Sequence, residues 1–212
     1  MKFDLSLYLV TDSSLSKGRT IEWIVAEAVK GGITMVQLRE KDCTTRDFVA
    51  LAITLKGLLQ QYSIPLIIND RLDIVLASDA DGIHIGQSDI PYQIARKILG
   101  YDKIIGLSVE TILQAQEANN LDVDYIGISP VFTTATKTDL NLAFGLEGIL
   151  KIASFTKHRM VGIGGITADN AKAIVVAGAE GVSVVSAIVS ADDPAKAAST
   201  LKQQIDAAKK IM

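Results

Sequence analysis

Met35-Val-Gln-Leu-Arg-Glu-Lys-Asp42 decides the fold: a short, mostly apolar run, Met35–Arg39, passes straight into charged residues. Seven more runs of this kind follow the same rule, at Leu7–Thr11, Leu66–Asn69, Gly82–Ile85, Ile104–Ser108, Tyr125–Ile128, Met160–Ile163 and Gly181–Val185. Nearly every run ends in a polar residue or a glycine, and each is followed by a helical segment. Eight strand–helix units are what a (β/α)8 barrel needs. Such a barrel collects its strand ends at one face. Arg39, Asn69, Ser108 and Ser186, far apart in sequence, would then converge, and polar residues at the C-terminal ends of barrel strands read as chemistry.

The runs themselves support parallel strands. MVQL, PLIIN, KIIGLS and GVSVV are rich in Val, Ile and Leu with little alternation, as expected when both faces are buried. Between them lie helical patterns. Ile21–Lys30 places apolar residues at 21, 24, 25, 28 and 29 on one face. Asp47–Gln61 repeats this through Phe48, Leu51, Ala52, Leu55, Leu58 and Leu59, with Thr44 or Thr45 as its cap. Pro194 opens a last helix to about Ile211, capped by Asp193 or Asp192. A doubly wound open sheet shares this alternation, but no GxGxxG follows the first strand. The expectation is a single (β/α)8 TIM barrel, with residues 1–212 as one catalytic domain.

The bulk numbers narrow the function. The chain has 212 residues, 49% of them hydrophobic, enough for a large core. A net charge of −3 gives no electrostatic footprint for nucleic acid or an anionic membrane, so anion binding must come from a local cluster. Cys43 is the one cysteine, which excludes an intramolecular disulfide and a thiolate metal site. The start, MKFDLSLYLVTD, is too short and too acidic for a signal peptide, and no apolar run approaches a membrane span. A cytoplasmic protein is expected. The oligomeric state stays open, a homodimer included.

The strand ends carry the candidate chemistry. Strand alternation puts Gln37, Arg39 and Lys41 on one side. A guanidinium beside an ammonium suits a polyphosphate; the plainer reading is that Arg39 pairs with Glu40 or Asp42. Asn69-Asp70-Arg71 and Gly86-Gln87-Ser88-Asp89 follow the third and fourth strands, one carboxylate each. Two carboxylates from neighbouring loops suit Mg²⁺; singly, Asp70 could cap a helix and Asp89 could be a loop residue ahead of Pro91. His84 reads as a core histidine satisfied by a hydrogen bond, and His158 as structural. After the sixth strand, Thr134, Thr136 and Lys137 form an oxyanion-binding loop or an ordinary polar one. Gly162-Ile-Gly-Gly-Ile-Thr167 and Val185-Ser186 follow the last two strands, where barrel enzymes often bind phosphate through backbone amides.

Taken in order, QLREKD, LIINDR, GIHIGQSD, SPVFTTATK and GIGGIT resemble the thiamine-phosphate synthase family, with similarity from LYLVTD to VSVVSAI. That family joins a hydroxymethylpyrimidine diphosphate to a thiazole phosphate, giving thiamine phosphate and pyrophosphate. By position, the resemblance makes Gln37, Leu38, Arg39, Glu40, Lys41 and Asn69 the pyrimidine-diphosphate segment and its companion. It makes Asp70 and Asp89 Mg²⁺ ligands and Ser108 a pyrimidine contact. It assigns Thr134, Ala135 and Thr136 to the thiazole phosphate, Lys137 to the diphosphate, and Gly165, Val185 and Ser186 to the thiazole-phosphate cradle. Arg39, Lys41, Ser108 and Lys137 would carry the catalysis. The chain departs from many members at Ser129, where they have glycine, and at Val109-Glu110, where they place a histidine. The partners implied are small molecules. Two other readings share these features: a thiazole tautomerase of the same superfamily, which needs neither diphosphate nor Mg²⁺, and a non-catalytic barrel that senses a phosphorylated ligand.

Overall fold

The computed structural model describes residues 3–133 and 143–211. Eight parallel strands close a barrel in chain order: β1 (Leu7–Val10), β2 (Met35–Leu38), β3 (Leu66–Asn69), β4 (Gly82–Ile85), β5 (Ile104–Val109), β6 (Tyr125–Ile128), β7 (Met160–Ile163) and β8 (Gly181–Val184). Closure is made by β1 and β8, with Leu7 opposite Val182 and Leu9 opposite Val184. Helices follow the strands: α1 (Ile21–Lys30), α2 (Thr45–Gln60), α3 (Leu72–Ser78), α4 (Tyr92–Leu99), α5 (Ile112–Ala118), α6 (Gly145–Ala153), α7 (Ala168–Val176), the single-turn α8 (Ser186–Val189) and α9 (Pro194–Lys209).

Strand bounds fall within one residue of those read from the apolar runs. β1, β2 and β8 each stop one residue early, and β5 runs one further, to Val109. Of the two cap candidates for α2, Thr44 accepts the Asp47 N–H at 3.2 Å; for α9, Asp193 accepts the Lys196 N–H at 2.9 Å. Each cap satisfies a donor that the first helical turn leaves without a partner.

Alternation along the strands separates two cores. Outward residues such as Leu7, Leu9, Val36, Leu38, Ile68, Ile83, Ile105 and Val182 pack under the helices. Inward residues Met35, Ile67, Ile104 and Val161, with Leu5, Tyr8 and Tyr125, fill the barrel's interior. Each fully buried aliphatic side chain contributes roughly 1.5–3 kcal/mol. Below the strands, Arg96 of α4 is 7% exposed and ties the loops before β5 and β6 together. It bonds the carbonyls of Gly100, Lys103 and Asp122 and pairs with Asp124 at 2.7 Å. Among the described residues, no helix is long and apolar enough to cross a membrane.

Candidate active site

Above the inner core, a cavity of about 260 Å³ opens at the C-terminal ends of the strands. Gln37, Arg39, Asn69, His84, Ser108, Gly165, Val185 and Ser186 are among the residues that line it. Barrel closure thus brings together residues from β2, β3, β4, β5 and the loops after β7 and β8.

Arg39 is held from an unexpected direction. Its Nη1 donates to Asp12 Oδ2 at 3.0 Å, across from β1, and not to Glu40 or Asp42. Its backbone N–H goes to Thr11 Oγ1 at 3.0 Å. Glu40 also turns back, accepting from Thr11 Oγ1 at 2.9 Å and from Ser13. Because β2 ends at Leu38, strand alternation does not extend to Lys41, which is exposed and is not among the cavity-lining residues. Leu38 faces outward into the helix layer.

Asp70 and Asp89 come together. The Asp70 carboxyl hydrogen-bonds that of Asp89 and is pushed up to about 6, first by burial, then by the bond and charge of Asp89; Asn69 and Arg39 pull it down. Asp70 sits at φ 61°, a left-handed conformation that Asp tolerates better than most residues, with its N–H on the His84 carbonyl at 2.9 Å. Asp89 Oδ2 accepts the Gly86 N–H at 2.7 Å. Two carboxyls held together with little positive charge beside them are the kind of ligand a hard cation takes. Among the described residues there is no cluster of three or more His, Cys, Asp or Glu suited to a metal. A pair is what Mg²⁺ requires when water and substrate phosphate complete its shell. Burial, then Glu40 and Asp47, raise the Cys43 thiol against an opposite pull from Arg71, and Cys43 is not among the cavity-lining residues.

On the other flank, Gly164 and Gly165 take φ 96° and 65° after β7. Asn170 holds this loop, donating to the Gly165 carbonyl at 3.0 Å while accepting the Thr167 N–H at 3.0 Å. Ser186 begins α8 beside it. Thr134, Ala135, Thr136 and Lys137 lie outside the described residues.

Several cavity residues escaped the sequence reading. Asp12 and Ser183 line the cavity, as does Ser129, read from the sequence only as a departure from the family, and Ser183 Oγ is buried with no partner among the described residues. His84 is a hydrogen-bonded interior histidine, as expected, but it also lines the cavity and bonds at both ring nitrogens, to Tyr125 and Ser108. Inward parity on β1, β6 and β8 would have pointed to Tyr8, Tyr125 and Ser183.

A closed parallel barrel with polar groups and an acidic pair at its strand ends is the architecture of the barrel enzymes. Within that class, residues 7–188 match the family described as thiamine monophosphate synthase. The thiamine-phosphate synthase of Albidiferax ferrireducens is 51% identical over 203 residues, covering 96% of this chain and 93% of that protein. That of Syntrophomonas wolfei is 50% identical over 200 residues, covering 94% and 96%. A thiamine phosphate pyrophosphorylase from Pyrococcus furiosus superposes with a TM-score of 0.89 at 36% identity, covering 96% of each chain. The chain belongs to the thiamine-phosphate synthase family.

Proposed function

We propose that this chain, as a single catalytic domain, condenses 4-amino-2-methyl-5-(diphosphooxymethyl)pyrimidine with 4-methyl-5-(2-phosphooxyethyl)thiazole, or its carboxylated form, to thiamine phosphate and pyrophosphate. The observation that carries this reading is the Asp70–Asp89 pair beside Arg39, next to a cavity whose other side holds Gly165 and Ser186. A tautomerase has no use for a carboxylate pair beside a guanidinium, nor has a phosphate sensor.

The reaction breaks a C–O bond at a benzylic-type carbon, and the electron pair leaves with pyrophosphate. The electron-rich aminopyrimidine stabilises the carbocation, and the thiazole nitrogen closes the new C–N bond. No nucleophilic side chain is needed. Asp70 and Asp89 would hold Mg²⁺, which when bound offsets charge on the departing diphosphate. Arg39, fixed by Asp12, directs its guanidinium at the same oxygens, a donor set in place before charge develops. The glycine loop after β7 and the start of α8 hold the thiazole phosphate through backbone amides, so that the ring nitrogen meets the carbon. The test is pyrophosphate release on mixing both substrates, with and without Mg²⁺. Release that needs both substrates and the metal is expected. No release, or release from the pyrimidine diphosphate alone, overturns the reading.

A further inference from the structure

One hydrogen-bond chain crosses the barrel interior beneath the cavity. Gln37 Nε2 on β2 donates to Tyr8 Oη on β1 at 2.9 Å. Tyr8 Oη meets Tyr125 Oη on β6 at 2.9 Å, and Tyr125 Oη meets His84 Nδ1 on β4 at 2.9 Å. His84 Nε2 meets Ser108 Oγ on β5 at 2.9 Å. Both tyrosines are fully buried, whereas Gln37 and Ser108, the two ends, line the cavity.

The barrel makes room for this chain. A Cβ on Gly106 would lie 2.1 Å from Tyr125 Cζ, and one on Gly127 would lie 3.2 Å from His84 Cε1. Burial pushes both phenols up, so each keeps its single proton at neutral pH. A buried hydroxyl must spend that proton on an acceptor. Tyr8 already receives the Gln37 N–H, so its own proton goes to Tyr125. Tyr125 then gives its proton to Nδ1 of His84. The histidine therefore carries its hydrogen on Nε2 and gives it to Ser108 Oγ. The direction is uniform from one end to the other, and the Ser108 proton is left for the cavity.

We infer that Tyr8, Tyr125 and His84 are positioning residues that fix the Ser108 hydroxyl as a donor to a ring nitrogen of the aminopyrimidine substrate. The same direction leaves Gln37 Oε1 an acceptor, the complement of an exocyclic amine. The two ends are thereby coupled: only while the chain runs in this direction is the Ser108 proton free for a ligand acceptor, because the reversed chain would spend it on His84 Nε2. This inference rests on the reaction proposed above for the nature of the ligand. The hydrogen-bond direction itself is independent of it.

Two measurements test it. The chain has two histidines, so ¹⁵N NMR of histidine-labelled full-length protein at pH 8, with His158→Gln to assign the signals, reads the His84 tautomer without any substrate. The Nε2–H form is expected; the Nδ1–H form overturns the inference even if the synthase activity is confirmed. Calorimetry then follows the pyrimidine diphosphate and the thiazole phosphate separately. Tyr125→Phe should weaken the pyrimidine diphosphate about tenfold and leave the thiazole phosphate within about twofold. The double variant with Ser108→Ala should bind no worse than Ser108→Ala alone, because Tyr125 acts through that hydroxyl. Losses that multiply, or that fall equally on both ligands, mean a merely structural role and overturn it. If Tyr125→Phe does not fold, Tyr8→Phe takes its place in the same cycle.

Discussion

The carboxyl groups of Asp70 and Asp89 share a hydrogen bond across two neighbouring strand-end loops. Neither residue caps its helix with that side chain: α3 starts with no side-chain cap bond, and Asp89 folds back onto its own loop at Gly86. The pair is held together at a cost to the fold, and a bound cation would relieve that cost.

Asp70→Asn should abolish Mg²⁺-dependent turnover. Full activity at limiting Mg²⁺ would remove Asp70 from the metal site. Asparagine keeps the left-handed backbone and the size of the side chain, so the barrel should survive.

The same residue sets a pH dependence. Asp70 titrates near 6 in the fold against 3.8 in an open chain. Between those values the folded protein retains a proton that the unfolded chain has lost, so stability falls as pH rises through the window. The metal-free enzyme should lose Tm relative to Asp70→Asn from pH 4 to 7, and Mg²⁺ should restore it at pH 7. Parallel Tm profiles for the two proteins would contradict this.

Arg39→Ala removes one preorganised donor to the leaving group. By analogy with other such donors, the cost is roughly 2–4 kcal/mol, or about 30- to 900-fold in the chemical step. Single-turnover kinetics should show it. A change confined to the KM for thiazole phosphate would assign the guanidinium to the other substrate.

Gly165 is constrained on two counts. Its φ of 65° disfavours any side chain, and a Cβ there would lie 2.8 Å from Phe132 Cβ and 3.0 Å from the carbonyls of Phe132 and Thr133. The added atom presses on the segment after β6, not on open cavity. Gly165→Ala should cost at least about 1–2 kcal/mol of stability from the backbone alone. It should weaken thiazole phosphate more than the pyrimidine diphosphate, measured by denaturation and by calorimetry with each ligand.

Arg96→Met supplies the opposite pattern. Removing a buried guanidinium takes the donor from three carbonyls and leaves Asp124, a third exposed, with the Ile105 N–H, which should cost about 1.5–3 kcal/mol. This site lies below the strands, so kcat at a temperature where the variant is folded should be unchanged. A fall in kcat without loss of Tm would refute the division between the two faces.

The barrel was legible because both faces of each strand are buried, so the strands stand out as apolar runs such as Ile104–Val109. The two carboxylates could be picked out because Asp70 follows β3 directly and Asp89 lies four residues beyond the end of β4. Arg39's partner was not, since Asp12 lies 27 residues away and meets it only once β1 and β2 pair. For Lys41 the alternation argument gives no placement, for a local reason: alternation holds only while the strand lasts, and β2 stops at Leu38. The Tyr8–Tyr125 contact joins residues 117 apart across the barrel, where the pattern of a single strand carries no information.

Gly106 has an evolutionary consequence. Its missing side chain and the Tyr125 ring occupy one shared volume, so neither position can drift alone. An alanine at 106 evicts the phenol, and a smaller residue at 125 leaves a void beneath His84. In any descendant of this chain the two sites should change together or not at all. That restricts the mutational routes by which the barrel could exchange its aminopyrimidine substrate for a different heterocycle.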